Sequence, residues 1–510
     1  MDCHGCAMAA IPALAQEQPP RLFTQVQTQE PPAEPGPWSQ TWHIEIDQQA
    51  IQQPAEAITL NLPGQREIVV HREFWSPRQG YMILLVGDGP ETIELPDPNV
   101  APEDFSWRWY GRTDGYVVAL TFEKGYLAGR IWGSGGKYAL NPREGKRTEL
   151  GLVNPDWWQL HPERNEPPQM AVNDSQSELP LEPATNEHPA GPGSWDLSCP
   201  GPLPTAVSKI DVLVLYTSAV FIANGSTLGG VRVVAQREID EANQSLRNSL
   251  VNSVRFYLSG IQAVPETASP PYDLASIAVG LNRLAGTIET PGVYPGWTYP
   301  GTPAVRALRD TYGADIVALA RKDGTEELSC GVAFVQRYYN YSPPIGPGPE
   351  FERKAYMVFD PDCAADRLNF AHELGHLLGM EHDPANMEMP SSGFPSCPWS
   401  FGHRNANLAQ PQFAFRTVMS YSRNTGAAGP LCSSDAACPL IDAYSNPGLS
   451  WAGSLFETGT FPGAVPIGRN VGEPPFTYPP SKANDTLARI APIVEAFRAR
   501  PDRIFANGFQ

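Results

Sequence analysis

The chain has 510 residues, 41% of them hydrophobic, and a net charge of −19, enough apolar material for two or three domains. So acidic a balance excludes nucleic acid as the partner, because phosphate recognition needs a basic face. No apolar run reaches the ~20 residues of a membrane-spanning helix.

Residues 1–41 read as a tail. Ala7 to Ala15 is short and apolar, ends in Ala13-Leu14-Ala15, and is followed by Gln16-Glu17-Gln18. It resembles the back half of a secretory signal without its basic start, the other reading being a disordered tail. On the first reading the protein is secreted and extracellular. Cys3 and Cys6 form a C-x-x-C with no strand–helix context, which argues against a redox role. Residues 16 to about 40 are rich in Pro, Gln and Glu, a composition that favours disorder.

From 42 to 162 short alternating runs take over, among them Trp42–Ile46, Glu67–Val70, Tyr116–Phe122 and Leu127–Trp132, with Gly115, Gly125 and Gly135-Gly136 between them. This pattern predicts a small antiparallel β domain. It contains neither cysteine nor a cluster of metal-ligating residues, so no chemistry is expected there. Residues 163–205 form a Pro-rich linker, exposed and open to proteolysis.

The region 206–500 alternates strands and helices. Ile210–Tyr216 is a buried strand by its unbroken apolar run, and Val231–Leu250 has apolar residues at helical spacing. Val254–Val264 is a strand, Pro303–Tyr312 a helix opening on proline, and Ala314–Ala320 a strand. Gly331–Val335 and Ala355–Phe359 are two further short strands before another helix. The order βαβαβββα predicts an α/β (α+β) domain around a mixed, mostly parallel sheet.

That last helix carries His372-Glu373-Leu374-Gly375-His376-Leu377-Leu378-Gly379-Met380-Glu381-His382. Histidines four apart stand one turn apart on one helix face, so His372 and His376 can share a Zn²⁺ at about 2.0–2.1 Å. Glu373 is then held beside the metal as a proton acceptor for water. Gly379 suits a left-handed helix end, after which His382 can supply a third nitrogen. Three of only nine histidines fall within these eleven residues, which a chance arrangement does not explain. His403, the remaining histidine of this region, is expected at the surface or behind the ligands.

These residues resemble the metzincin zinc peptidases, whose signature H-E-x-x-H-x-x-G-x-x-H is followed by a methionine turn. Thr417-Val418-Met419-Ser420-Tyr421 suits the turn, and Asp383 after the third histidine is the reprolysin (adamalysin) variant. Cys330-Gly331-Val332-Ala333, Cys363 shortly before Asn369-Phe370-Ala371-His372, and Tyr444-Ser445-Asn446-Pro447 are similar to the bacterial reprolysin-like and peptidyl-Asp metallopeptidase group. The resemblance spans residues 206 to 500. By pattern alone, the β-rich region resembles the propeptides of these enzymes.

The resemblance implies an endopeptidase acting on protein or peptide substrates through a zinc-activated water, with Glu373 as general base and one zinc as cofactor. Calcium is left open, and a monomer is expected. It makes Met419, Gly379 and Asp383 structural supports of the site. Gly331, Val332, Ala333 and Phe334 would form the edge strand that pairs with an extended substrate. Tyr421 departs from the reprolysin pattern and matches the turn tyrosine of astacins and serralysins. It is either a retractable zinc ligand and oxyanion stabiliser or a buried aromatic. Cys330 and Cys363 should pair by resemblance, and Cys432 and Cys438 are close enough to close a small loop. Cys199, at the end of the linker, has two open readings: a zymogen switch whose thiolate occupies zinc's fourth position, or a disulfide with Cys397. Two other functions compete with a secreted zymogen. An inactive metzincin-scaffold adhesion protein has no need to keep Glu373, and a hydrolase of small molecules has no need of an open edge strand.

Overall fold

The structure, a computed structural model, describes residues 19–28, 38–47, most of 55–153, Cys199 and most of 203–498. The expected signal remnant, Cys3, Cys6 and the linker from 163 to 198 lie outside the described residues.

The N-terminal part is a β layer. Its strands are β1 (Phe23–Thr28), β2 (Trp38–Ile46), β3 (Ala57–Leu60), β4 (Ile68–Gln79), β5 (Tyr81–Leu85), β6 (Thr92–Pro96), β7 (Ser106–Thr113), β8 (Tyr116–Glu123), β9 (Tyr126–Gly133), β10 (Gly136–Pro142) and β11 (Thr148–Val153). Nine of them form one antiparallel sheet in the order β1-β2-β11-β10-β9-β8-β7-β4-β3, and β5 pairs with β6 apart. Lys124 and Gly125 both have positive φ between β8 and β9, the backbone a two-residue hairpin turn requires. Alternation works as the sequence suggests, with Val118, Leu120 and Phe122 of β8 in the core beside Trp107 and Ile131.

One expectation needs correcting. Phe23–Thr28 falls in the stretch expected to be disordered, yet it forms β1 and pairs with β2. Leu22 and Phe23 are fully buried at its start, and the surrounding Pro, Gln and Glu masked that short apolar anchor.

The second part holds β12 (Ser208–Tyr216), α1 (Ser218–Ala223), α2 (Leu228–Asn248), β13 (Val254–Ala263), α3 (Ile277–Ala285), α4 (Pro303–Tyr312) and β14 (Ile316–Ala320). Then come β15 (Gly331–Ala333), β16 (Arg337–Tyr339), β17 (Tyr356–Phe359), α5 (Asn369–Leu377), β18 (Gly393–Pro395), β19 (Arg404–Asn405), β20 (Phe415–Arg416) and, near the end, α6 (Ala483–Glu495). The sheet order is β13-β12-β14-β17-β15, parallel throughout except for β15, which runs antiparallel to β17 at the edge. This is a mixed, mostly parallel sheet. The short α1, α3 and β16 are additions to the expected order. The edge strand ends at Ala333, so Phe334 lies beyond it and is buried in the core instead.

Helix α2 joins the two parts. Thr227 caps its N-terminus by accepting the Gly230 amide at 3.0 Å. One side packs on β13 and α5, while the β layer covers the other with β8, β9 and β10. The covered side is charged. Arg130 of β9, fully buried, pairs with Glu238 at 3.0 Å and with Glu241, and Arg237 pairs with Glu238 at 2.6 Å. Tyr126, Ala128, Val233 and Val234 form an apolar patch there.

Candidate metal centre

Helix α5 is buried along its whole length, with Ala371, Leu374 and Leu377 in the core of the second part. Tyr444 fixes it from outside by donating its hydroxyl to the Ala371 carbonyl at 2.6 Å. The other face carries His372 and His376, 3% exposed each.

The tautomers follow from what each ring touches. His372 Nδ1 lies 2.7 Å from the Val418 carbonyl, and His376 Nδ1 lies 2.9 Å from the Met380 carbonyl. A carbonyl can only accept, so each Nδ1 carries the proton and each Nε2 presents a bare lone pair. The helix ends where Gly379 takes φ +84°, its amide and that of Met380 bonding back to the His376 and Gly375 carbonyls. The reversal returns His382, and the ligand atoms of the three histidines lie within 4.8 Å of one another.

His376 Nε2 and His382 Nε2 approach to 3.0 Å, and His372 Nε2 is buried with no hydrogen-bond partner. Converging lone pairs repel one another unless a cation sits between them. Tetrahedral zinc with bonds of about 2.0–2.1 Å places its nitrogens roughly 3.3 Å apart, close to the His376–His382 separation, and a set of three imidazoles suits that ion. Burial pushes the His372 imidazole down to about 4, the nearby Arg416 adding to the shift and the Val418 carbonyl opposing it. Burial, with the other two histidines, holds His382 well below the usual range. Neutral imidazoles are the form that binds metal.

Glu373 is 1% exposed, and burial alone raises its carboxyl well above the ordinary range. Its Oε1 has no hydrogen-bond partner in the protein. The carboxylate sits over β15: a Cβ built on Gly331 would fall 2.8 Å from Glu373 Oε1 and still closer to Asn369 Nδ2. Beneath the histidines, Met419 occupies the space that a Cβ at Gly375 would need, which explains the glycine inside the motif.

The remaining expected residues fall as follows. Tyr421 is 2% exposed, its hydroxyl 2.6 Å from His382 Nε2. Asp383 accepts the Tyr421 amide at 3.0 Å. His403 packs against Phe415 and is outside the ligand group. Cys199 is disulfide-bonded to Cys397, with Cα atoms 4.8 Å apart, so it offers no free thiolate and the switch reading is corrected. Cys330 and Cys438 are also disulfide-bonded, while Cys363 and Cys432, their expected partners, lie outside the described residues. Sequence reasoning missed Asn369, whose buried Nδ2 has no hydrogen-bond partner, and Arg404, whose guanidinium lies between Asp383 and Tyr421. No spacing rule points to either.

Comparison with known proteins agrees with this geometry. Residues 206–429 match the model of metallopeptidase family M12, reprolysin type. A peptidyl-Asp metalloendopeptidase of Stenotrophomonas maltophilia is 26% identical over 246 residues, covering 48% of this chain and 47% of the relative. One from Xanthomonas campestris is 27% identical over 249 residues, covering 48% and 46%. The chain thus spans about half the length of the curated relatives it matches. Metalloproteinase-II from Bacteroides fragilis aligns over 67% of this chain and 85% of its own at 12% identity, with a TM-score of 0.31, too low to bear on the fold.

Proposed function

We propose that the chain is a zinc-dependent endopeptidase, a reading supported by the match of residues 206–429 to the model of metallopeptidase family M12, reprolysin type. The observation that carries this is the convergence of three Nε2 lone pairs beside a buried, unpartnered carboxylate oxygen. His372, His376 and His382 would hold a zinc ion, which would supply Lewis acidity towards a scissile carbonyl and a water.

The chain's own residues do the rest. Glu373, whose burial favours the protonated state, accepts the proton of the attacking water and delivers it to the leaving amine. Tyr421 directs its hydroxyl at the same point and hydrogen-bonds the oxygen that gains charge. Gly331–Ala333, at the sheet edge, offers backbone groups to an extended peptide, which makes proteins the substrate class. The relatives' name makes aspartate at the cleavage point the first specificity to try. We further read the protein as secreted and made as a zymogen. A cut in the linker would free the β layer, while the Cys199–Cys397 bond keeps the linker's end on the peptidase domain.

The test is metal content and hydrolysis of a mixed peptide library. Purified protein should hold about one zinc and lose activity to a chelator. Glu373→Gln should keep the zinc and lower kcat by a factor on the order of 10² or more. Full activity in that variant would sink the mechanism.

A further inference from the structure

Tyr421 and the third histidine belong to segments far apart in the chain, yet the phenol oxygen is 2.6 Å from His382 Nε2. Something must set that reach. A third segment, 400–405, runs between them. Glu381 donates its amide to the Ser400 carbonyl at 2.7 Å, and Gly402 donates to the Glu381 carbonyl at 3.1 Å. On its other side, the Thr417 amide and the Ser420 hydroxyl both donate to the His403 carbonyl, at 3.0 and 2.9 Å.

Arg404 lies in this bridging segment, its side chain only 3% exposed. Nη1 donates to the Tyr421 carbonyl at 3.1 Å, and Nη2 stands 3.5 Å from Asp383 Oδ1. The other oxygen of that carboxylate accepts the Tyr421 amide at 3.0 Å. Tyr421 is therefore gripped at both backbone groups, and the two gripping side chains are paired with each other. Asp383 directly follows the ligand His382, so the closed ring fixes the turn tyrosine relative to a ligand atom. The planar fork of a guanidinium can serve two acceptors at once, whereas the single ammonium of lysine is a point charge on a flexible stem.

We propose that Arg404 is a positioning residue that sets the reach of the Tyr421 hydroxyl to the bound metal. The proposal rests on the reading of Tyr421 as a metal-directed hydroxyl. Loss of the guanidinium removes the Arg404 contact from Asp383 and the Arg404 donor from the Tyr421 carbonyl, so the grip on Tyr421 weakens and the phenol moves off target. His372 and His376 stay on one helix face, and His376 keeps its bond to the Met380 carbonyl, so the site can still take up metal.

The test uses the full-length protein loaded with Cu²⁺ in place of zinc, because a phenolate bound to copper gives a visible charge-transfer band. Wild type should show the band and Tyr421→Phe should lack it. Arg404→Met should bind one copper yet lose or shift the band, and its zinc form should lose kcat about tenfold with KM little changed. Should the methionine variant fold poorly, Arg404→Lys keeps the charge and should still show a weakened band. A band and kcat unchanged in both variants would overturn the role of Arg404 while leaving that of Tyr421 intact. Absence of the band from wild type would overturn both.

Discussion

Gly331→Ala tests whether the edge strand and Glu373, the proposed general base, are in contact. The new Cβ would stand 2.8 Å from Glu373 Oε1 and 3.0 Å from its Cγ, where ordinary contact begins at 3.4 Å. The carboxylate oxygen must therefore retreat by about 0.6 Å and the Asn369 amide nitrogen, 2.3 Å from the new Cβ, by about 1.1 Å, unless the strand itself gives way. Neither has free space, since Glu373 is 1% exposed, Asn369 2%, and Val332 and Ala333 are buried on β15. Overpacking of this kind costs about 1–3 kcal/mol of stability. Displacing a catalytic group by 1 Å costs about 10²-fold in rate, so a shift near 0.6 Å should lower kcat between about 10-fold and 10²-fold. Zinc content should not change, because none of the histidines lies in the path of the methyl group. Steady-state hydrolysis of a peptide substrate, thermal unfolding and metal analysis together separate these effects. Wild-type kcat in a folded, zinc-loaded Gly331→Ala protein would refute the placement of Glu373 over the strand.

Arg130→Met removes the buried cation that the β layer inserts between Glu238 and Glu241, leaving two carboxylates beside Arg237. Breaking such a buried pair should cost about 3–5 kcal/mol, read as a lowered Tm of the full chain, and an unchanged Tm would contradict the packing of β9 on α2. In metal-free protein, burial holds the His372 imidazole at about 4 against an ordinary 6.5. The unfolded chain therefore binds more protons between these values, so stability is full above pH 6.5 and declines as pH falls to about 4. The loss amounts to about 3 kcal/mol, and a urea titration of chelated protein that stays flat over this range would argue against a buried neutral His372.

The gathering of the three histidines was legible in the sequence because its rules are local. A helix repeats every 3.6 residues, so His372 and His376 announce their common face, and Gly379 announces the left-handed turn that returns His382. The buried strands β12 and β14 were legible for a similar reason, as unbroken apolar runs bounded by turns. What escaped is held by contacts distant in the chain. The strand at Phe23–Thr28 is defined by its partner β2 across a Pro-rich gap, not by its own composition. Arg404 gains its meaning from Asp383, 21 positions before it, and from Tyr421, 17 positions after it, a triangle that no periodicity encodes. Counting cysteines favours the disulfide reading of Cys199, because the switch would leave Cys397 without a partner once Cys330–Cys363 and Cys432–Cys438 are paired, but a count alone leaves both readings open. Only the approach of Cys397 in the fold decides between them.

The β layer bears on the active helix through α2 rather than through the motif itself. α2 packs α5 on one side and takes Arg130, Thr121 and Arg78 from the β layer on the other, the last two through Asp240. Arg237, in the same charged cluster, also donates to the Pro361 carbonyl at 3.3 Å, in the segment that follows β17 and leads towards α5. The contact is mixed in character, since beside these charges Tyr126 and Ala128 pack on Val233 and Val234, and Trp38 and Val153 of the β layer pack on Cys330. While docked, the layer fixes the helix on which the metal-binding face rests, and a cation supplied by the β layer is part of what keeps Glu238 and Glu241 buried there.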